Sequence, residues 1–197
     1  LPVLFEAHNR MTGVLAPVLF RLLISDHGKK RLLPITHALQ RRLEVDSHTS
    51  FAAGEVVVAP DGVDLERYSR LPEPAAARAE LNLPEQPTAV YAGHLYAGRG
   101  LELLAELARL NPGIHFLWVG GRPADVERWR SRLSQSGLGN VTLTGFVANS
   151  RLPLYQAAGD VLLMPYERRV EVSGGGNTAD ICSPMKMFEY MAAGRAI

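Results

Sequence analysis

The chain has 197 residues, 47% of them hydrophobic, with 21 basic and 20 acidic side chains and a formal charge of +1. That apolar content excludes a disordered chain, and the even charge balance gives no electrostatic case for nucleic acid as the main partner. A single cysteine, Cys182, excludes an internal disulfide and any cysteine-based metal cluster, and fits a reducing, cytoplasmic setting.

In chain order, Pro2 to Glu6 is a short apolar run that predicts a buried strand, ending at Ala7-His8-Asn9. Gly13 to Ser25 predicts an apolar helix. Its longest apolar stretch, Val14 to Ile24, is broken by Pro17 and Arg21 and falls well short of the roughly 20 residues a membrane span needs, so it predicts a packed helix. Leu32 to Thr36 predicts a strand, and Thr36 caps a helix through about Glu44 with Arg41 and Arg42 on its wet face. Glu55 to Ala59 predicts another strand, closed by the turn Pro60-Asp61-Gly62. Leu71 to Ala76, with Pro72 and Pro74, predicts a linker.

From Thr88 the rhythm is regular. Strands are predicted at Thr88–Ala92, Ile114–Val119, Val141–Thr144 and Val161–Met164. Helices are predicted at Gly98–Leu110, Ala124–Ser134, Arg151–Ala158 and Met185–Ala193. This alternation predicts an α/β fold, a Rossmann-like parallel sheet flanked by helices, with ligands at the carboxyl ends of the strands. The abrupt ends, Leu-Pro-Val-Leu-Phe and Gly194-Arg195-Ala196-Ile197, read as cuts through a domain, with a bare sheet edge open to self-association.

Four segments could carry chemistry. Gly93 to Gly100 follows a strand and opens a helix, so its backbone and Arg99 suit a diphosphate; a glycine turn with a solvated arginine is the plainer alternative. Ser173 to Asp180 contains three consecutive glycines and reads either as a surface loop or as a lid ordered by a ligand. In Ser183 to Gly194, Pro184 suits a helix start with Ser183 as cap. Lys186 and Glu189 share a face, either as a surface ion pair or as partners for phosphate and for the vicinal hydroxyls of a ribose. Met185, Phe188 and Met191 read as core, and Cys182 as a packing residue. His8 stands where a strand ends and could meet a substrate, although a structural histidine is the simpler reading. No metal-ligand spacing, Walker loop or nucleophile elbow is present, and no metal or cofactor is expected.

Taken together, these residues resemble the family 4, or group 1, glycosyltransferases of the GT-B fold. Val56 to Tyr68 resembles the family's "pNGvD..rF" segment between its two domains. Gly93 to Gly100 resembles its G-R-x-x-x-x-K-G phosphate turn, with His94 in place of arginine and Arg99 in place of lysine. Gly145-Phe146-Val147 resembles the "GfV" turn near the nucleotide base, and Ala158 to Pro165 resembles "aDv.l.P".

The resemblance implies a remnant of an N-terminal, acceptor-side Rossmann domain together with the interdomain segment at residues 1–70, and an incomplete nucleotide-sugar-binding domain at 71–197. It implies metal-independent transfer, with retention, from a nucleotide-diphosphate sugar to an unknown glycan, lipid or small-molecule acceptor. The setting would be cytoplasmic, with peripheral membrane contact in a longer protein. The implied donor-binding residues are Gly93, His94, Arg99, Gly100, Phe146, Val147, Ser183, Pro184, Lys186 and Glu189, and the implied catalytic residues are His8, Asp180 and Glu189. Glu189 matches the second glutamate of the family's E-x7-E motif; the first falls on Ile181, so Asp180 is the nearest substitute. With one wall of the cleft reduced, the chain itself is expected to bind nucleotide diphosphate weakly and to be inactive. The alternatives are a non-catalytic nucleotide-sugar-binding module and, less favoured, a nicotinamide-dependent oxidoreductase, which would need a G-x-G-x-x-G turn that is absent.

Overall fold

The computed structural model describes residues 2–25, 28–52, 54–168 and 178–197. Contacts divide the chain into two units: Leu1–Asp61 with Asn177–Pro184, and Gly62–Gly176 with Met185–Ile197. Residues 62–70, the end of the stretch read from sequence as remnant and interdomain segment, group with the second unit. The reason is Tyr68, which is buried in that unit's core.

The first unit holds two parallel strands, β1 (Val3–Ala7) and β2 (Lys30–Pro34), and two helices, α1 (Leu15–Ser25) and α2 (His37–Ser47). Its core joins Ala7, Phe20, Leu32, Ile35, Leu39, Leu43 and Ile181. Glu55 to Ala59 forms the predicted strand only in part. It runs beside β2 with one bridge, Leu32 to Val56, and three backbone hydrogen bonds: Leu32 N–H to Glu55 O at 2.8 Å, Val57 N–H to Leu32 O at 3.0 Å and Ala59 N–H to Pro34 O at 3.0 Å. Helix α1 is less packed than predicted. Only Phe20 is buried, while Val14, Leu15, Val18, Leu19 and Leu22 are exposed, because the core engages one side of an all-round apolar helix.

Thr36 caps α2 as expected: its Oγ1 accepts from Leu39 N–H at 3.0 Å and donates to Ile181 O at 2.9 Å. Thr36→Ala therefore orphans an amide and a carbonyl together. We expect a loss of about 1–2 kcal/mol, read as a lowered urea midpoint; an unchanged midpoint would refute the capping role.

The second unit is built on a four-stranded parallel sheet in the order β5-β4-β3-β6, from β3 (Thr88–Ala92), β4 (His115–Val119), β5 (Val141–Gly145) and β6 (Val161–Leu162). Side chains alternate across the sheet with period two. Ala89, Tyr91, Phe116 and Trp118 face α4 (Leu101–Leu110) and α5 (Pro123–Gln135), where Trp118 meets Trp129 edge-on at 5.2 Å. Val90, Ala92, Leu117, Val119 and Leu162 face α3 (Pro74–Glu80), α6 (Leu152–Ala157), α7 (Met185–Ala193) and a 3₁₀ turn, Leu65–Tyr68.

The predicted linker at Leu71 to Ala76 is in part helix. Pro74 is the first residue of α3, a position whose missing N–H costs the helix nothing. The β3–β6 register is secured by Asp160, whose Oδ2 accepts from Thr88 N–H at 2.7 Å and from Arg78 at 3.0 Å.

Candidate functional site

In the second unit, β4 and β5 lie on one side of β3 and β6 on the other, so the strand order reverses at β3/β6. Loops leaving adjacent parallel strands on opposite sides of such a point open a crevice at their carboxyl ends. The turn Gly93 to Gly100 leaves β3 there and feeds α4, and the segment Met164 to Glu167 leaves β6 beside it. The two are stitched together by Glu167 N–H to Gly98 O at 3.3 Å. Gly100, at φ 71°, lies so close to Pro165 that a Cβ would fall 1.9 Å from the Pro165 carbonyl oxygen. Only glycine serves at this contact, for both reasons.

The crevice is lined by two cations and several aromatic rings. Helix α7 sends Lys186 back to the turn, where its Nζ lies 2.7 Å from the place a Cβ on Gly93 would take. Nζ is 4.2 Å from the Tyr91 ring centre and 4.9 Å from that of Tyr166. It is buried and has no hydrogen-bond partner among the described residues. Burial, reinforced by the Arg99 guanidinium and opposed by Glu189, pulls the Lys186 ammonium down to about 7. The Arg99 guanidinium lies over the same Tyr166 ring at 4.8 Å and over Tyr96 at 5.2 Å, and its Nε is also buried without a partner among the described residues. Two hydrogen-bond-poor cations beside the N-terminus of α4, whose cap Gly100 offers no side chain, form a place for an anion of more than one charge.

Glu189, one turn along α7, does not pair with Lys186. Its Oε2 accepts from Gln156 Nε2 at 3.0 Å, and Gln156 Oε1 accepts from the Tyr68 hydroxyl at 2.9 Å. Tyr190, beside Glu189, is anchored to the sheet: its hydroxyl accepts from Ala92 N–H at 2.9 Å and donates to Leu163 O at 3.3 Å. Helix α7 thus turns the stripe Lys186, Glu189, Tyr190 and Ala193 inward. Met185 and Met191, predicted as core, are 56% and 63% exposed. The inward face was chosen by polar partners on neighbouring elements, not by the number of apolar side chains.

The remaining predicted residues fall as follows. His94 stacks on Tyr96 at 5.0 Å, and its imidazole is held below its ordinary value by burial and by Arg99, Arg122 and Lys186, which disfavour its charged form. Phe146, just after β5, is exposed, while Val147 packs on the core. His8, Asp180, Ser183 and Pro184 belong to the first unit. There His8, at the end of β1, contacts Glu6 Oε1 at 2.9 Å, and exposed Asp180 lines a groove with Arg10, Arg41 and Arg42. Ile181, at the place of the missing first glutamate, is buried in that unit's core. Helix α7 begins at Met185, directly after Pro184.

Cys182 is half-buried and donates to Ala179 O at 3.7 Å. Residues 173–177 of the triple-glycine loop lie outside the described residues. Among the described residues no group of His, Cys, Asp and Glu is arranged to hold a metal ion, and no helix is long and apolar enough to cross a membrane.

Sequence reasoning missed Tyr91, Tyr166, Gln156 and Tyr68. Gln156 alone left a signal, as a polar residue among the apolar side chains of Leu152–Ala157.

The family model described as "Glycosyl transferases group 1" matches residues 86–197. Among solved structures, Anabaena HepE in complex with UDP-glucose is similar to the chain with a TM-score of 0.69 at 18% identity, over 98% of this chain and 52% of its own. A glycosyltransferase from Rickettsia africae gives 0.71 at 14% identity, over 98% and 49%. WaaG, a glycosyltransferase involved in lipopolysaccharide biosynthesis, gives 0.66 at 17% identity, over 98% and 54%. The chain thus spans about half the length of these structures, and at such identities the likeness concerns the fold. No curated protein matches the sequence. The family model covers more than half of the chain, including the whole sheet and α7, and the neighbours share the GT-B architecture: the chain belongs to the group 1 glycosyltransferases.

Proposed function

We propose that this chain carries the donor-binding half of a retaining, metal-independent glycosyltransferase that takes its sugar from a nucleotide-diphosphate sugar. The observation that carries the reading is the Lys186 ammonium, buried without a hydrogen-bond partner among the described residues, beside Arg99 at the sheet's reversal point. An ammonium kept out of water without a hydrogen bond is costly, and an arriving diphosphate would offset that cost. The family's arginine is replaced by His94, whose charged form its surroundings disfavour, and Lys186, drawn to its charged form by an arriving diphosphate, supplies the second cation in its place. As the sugar leaves, negative charge gathers on the diphosphate. Arg99, Lys186 and the amides opening α4 and α7 would stabilise it where it forms.

Glu189 accepts from the ribose hydroxyls, and Phe146 and Val147 border the base. Gly93 and Gly100 bring backbone to the phosphates, and Ser183 and Pro184 lead into α7. Following the family pattern, we assign His8 to the donor sugar and Asp180 to the place of the first glutamate. HepE, of the same fold, is known in complexes with UDP and with UDP-glucose, which supports a nucleotide-sugar donor here. Cytoplasmic action, peripheral to a membrane if the acceptor is a lipid, belongs to the same proposal.

Calorimetry with uridine, guanosine and adenosine diphosphates tests the binding half. One of them should bind, and Arg99→Leu should weaken it by about tenfold or more. Binding by none would refute the reading. Transfer by a protein carrying this domain should survive a chelator and keep the donor's anomeric configuration.

A further inference from the structure

Gln156 is fully buried, on a helix whose other inward residues are apolar. A primary amide so placed is tolerated only if its hydrogen bonds are made. Both ends are engaged, and the chemistry fixes their direction. An ionised Glu189 can only accept, so the Gln156 NH₂ faces it; Oε1 then faces Tyr68, whose hydroxyl must donate. The relay starts from a ring locked in the core and ends on a carboxylate at the site.

We propose that Gln156, oriented by Tyr68, is a positioning residue that fixes the Glu189 carboxylate so that its oxygens meet both hydroxyls of the ribose. The proposal rests on the reading of Glu189 as the ribose acceptor. Tying Oε2 from the core side stops the carboxylate from turning about its last bond, and leaves Oε1 and the second lone pair of Oε2 as acceptors. A diol supplies two donors at matching separation, whereas a 2′-deoxyribose supplies one. The relay therefore acts on sugar selectivity and leaves phosphate affinity to Arg99 and Lys186.

The test measures the affinity of whichever of uridine, guanosine or adenosine diphosphate binds best against that of its 2′-deoxy counterpart. Wild type should prefer the ribonucleotide by about tenfold. Gln156→Met, of similar volume, should lose most of that preference while holding the deoxynucleotide as before. Tyr68→Phe, which removes one oxygen and keeps the ring, gives the same reading at milder cost if Gln156→Met does not fold. Retention of the full preference by either folded variant overturns the proposal, as does an equal loss of affinity for both nucleotides, the mark of a purely structural role. Glu189→Gln separates the two levels. If it abolishes the preference while the relay variants do not, the ribose reading stands and the relay fails; if it leaves the preference intact, the ribose reading itself falls, and the relay with it.

Discussion

Lys186→Met should make the protein more stable below pH 7 and poorer at holding a nucleotide diphosphate. In the unfolded chain a lysine keeps its proton to about pH 10.4; folded, Lys186 releases it near 7. Between those values the unfolded state binds the extra proton, so the free energy of unfolding climbs with pH by about 1.4 kcal/mol per unit. Below 7 both states are charged and the full burial penalty remains. Methionine fills the channel between Tyr91 and Tyr166 without a charge, so the variant should gain on the order of 4 kcal/mol at pH 6 and little by pH 10. Denaturant unfolding at pH 6 and pH 9 reads this directly. Wild type should gain stability between the two values relative to the variant, and parallel pH profiles would show that Lys186 is not a buried cation. The same variant should bind nucleotide diphosphate about 100-fold more weakly, since the other side chain at that point beside Gly93 among the described residues, the Tyr91 hydroxyl at 3.1 Å, carries no charge. The residue that binds the anion is thus one that destabilises the empty protein.

The second large effect is expected at Gly100. An added Cβ would meet the Pro165 carbonyl oxygen at 1.9 Å and the Pro165 carbonyl carbon at 2.9 Å, and both belong to backbone that cannot swing aside. The backbone at φ 71° adds the ordinary cost of a side chain in the left-handed region. Together these put Gly100→Ala at about 3 kcal/mol of lost stability. Gly137→Ala separates the two contributions. It has nearly the same φ, 69°, but open space around its Cβ, so it should cost about 1 kcal/mol. Equal costs for the two variants would mean that the β6 segment yields freely. In that case it would not hold Tyr166 against Arg99 and Lys186.

The sheet of the second unit was legible in the sequence because each of its elements is locally self-consistent. Thr88–Ala92 and His115–Val119 are short, apolar and flanked by turn residues, and both their faces are buried, so nothing in their environment contradicts their pattern. The Thr36 cap and the helix start beside Pro184 follow from single-residue geometry, which tertiary packing leaves alone. The glycine turn at Gly93 to Gly100 was legible for the same reason: a strand, a turn with glycines at 93, 98 and 100, and an amphipathic helix follow one another without a gap.

What only the tertiary structure decided depends on partners distant in sequence. Glu55 to Ala59 has strand composition but pairs with β2 through one bridge and three hydrogen bonds, and a strand exists only through its neighbour. Pro74 reads as a breaker until its position at the start of α3 makes the missing N–H harmless. Helix α7 offers an apolar stripe, Met185, Phe188 and Met191, and a mixed one, Lys186, Glu189, Tyr190 and Ala193. Apolar counting favours the first. The second faces inward because Gln156 and Ala92 N–H supply hydrogen bonds that methionine could not make, and the rings of Tyr91 and Tyr166 supply π-faces for a cation. The identities of Lys186 and Glu189 were written in the sequence. The aromatic channel and the Tyr68–Gln156 relay that give them their chemistry arise only when residues up to 121 positions apart, from Tyr68 to Glu189, are folded against one sheet.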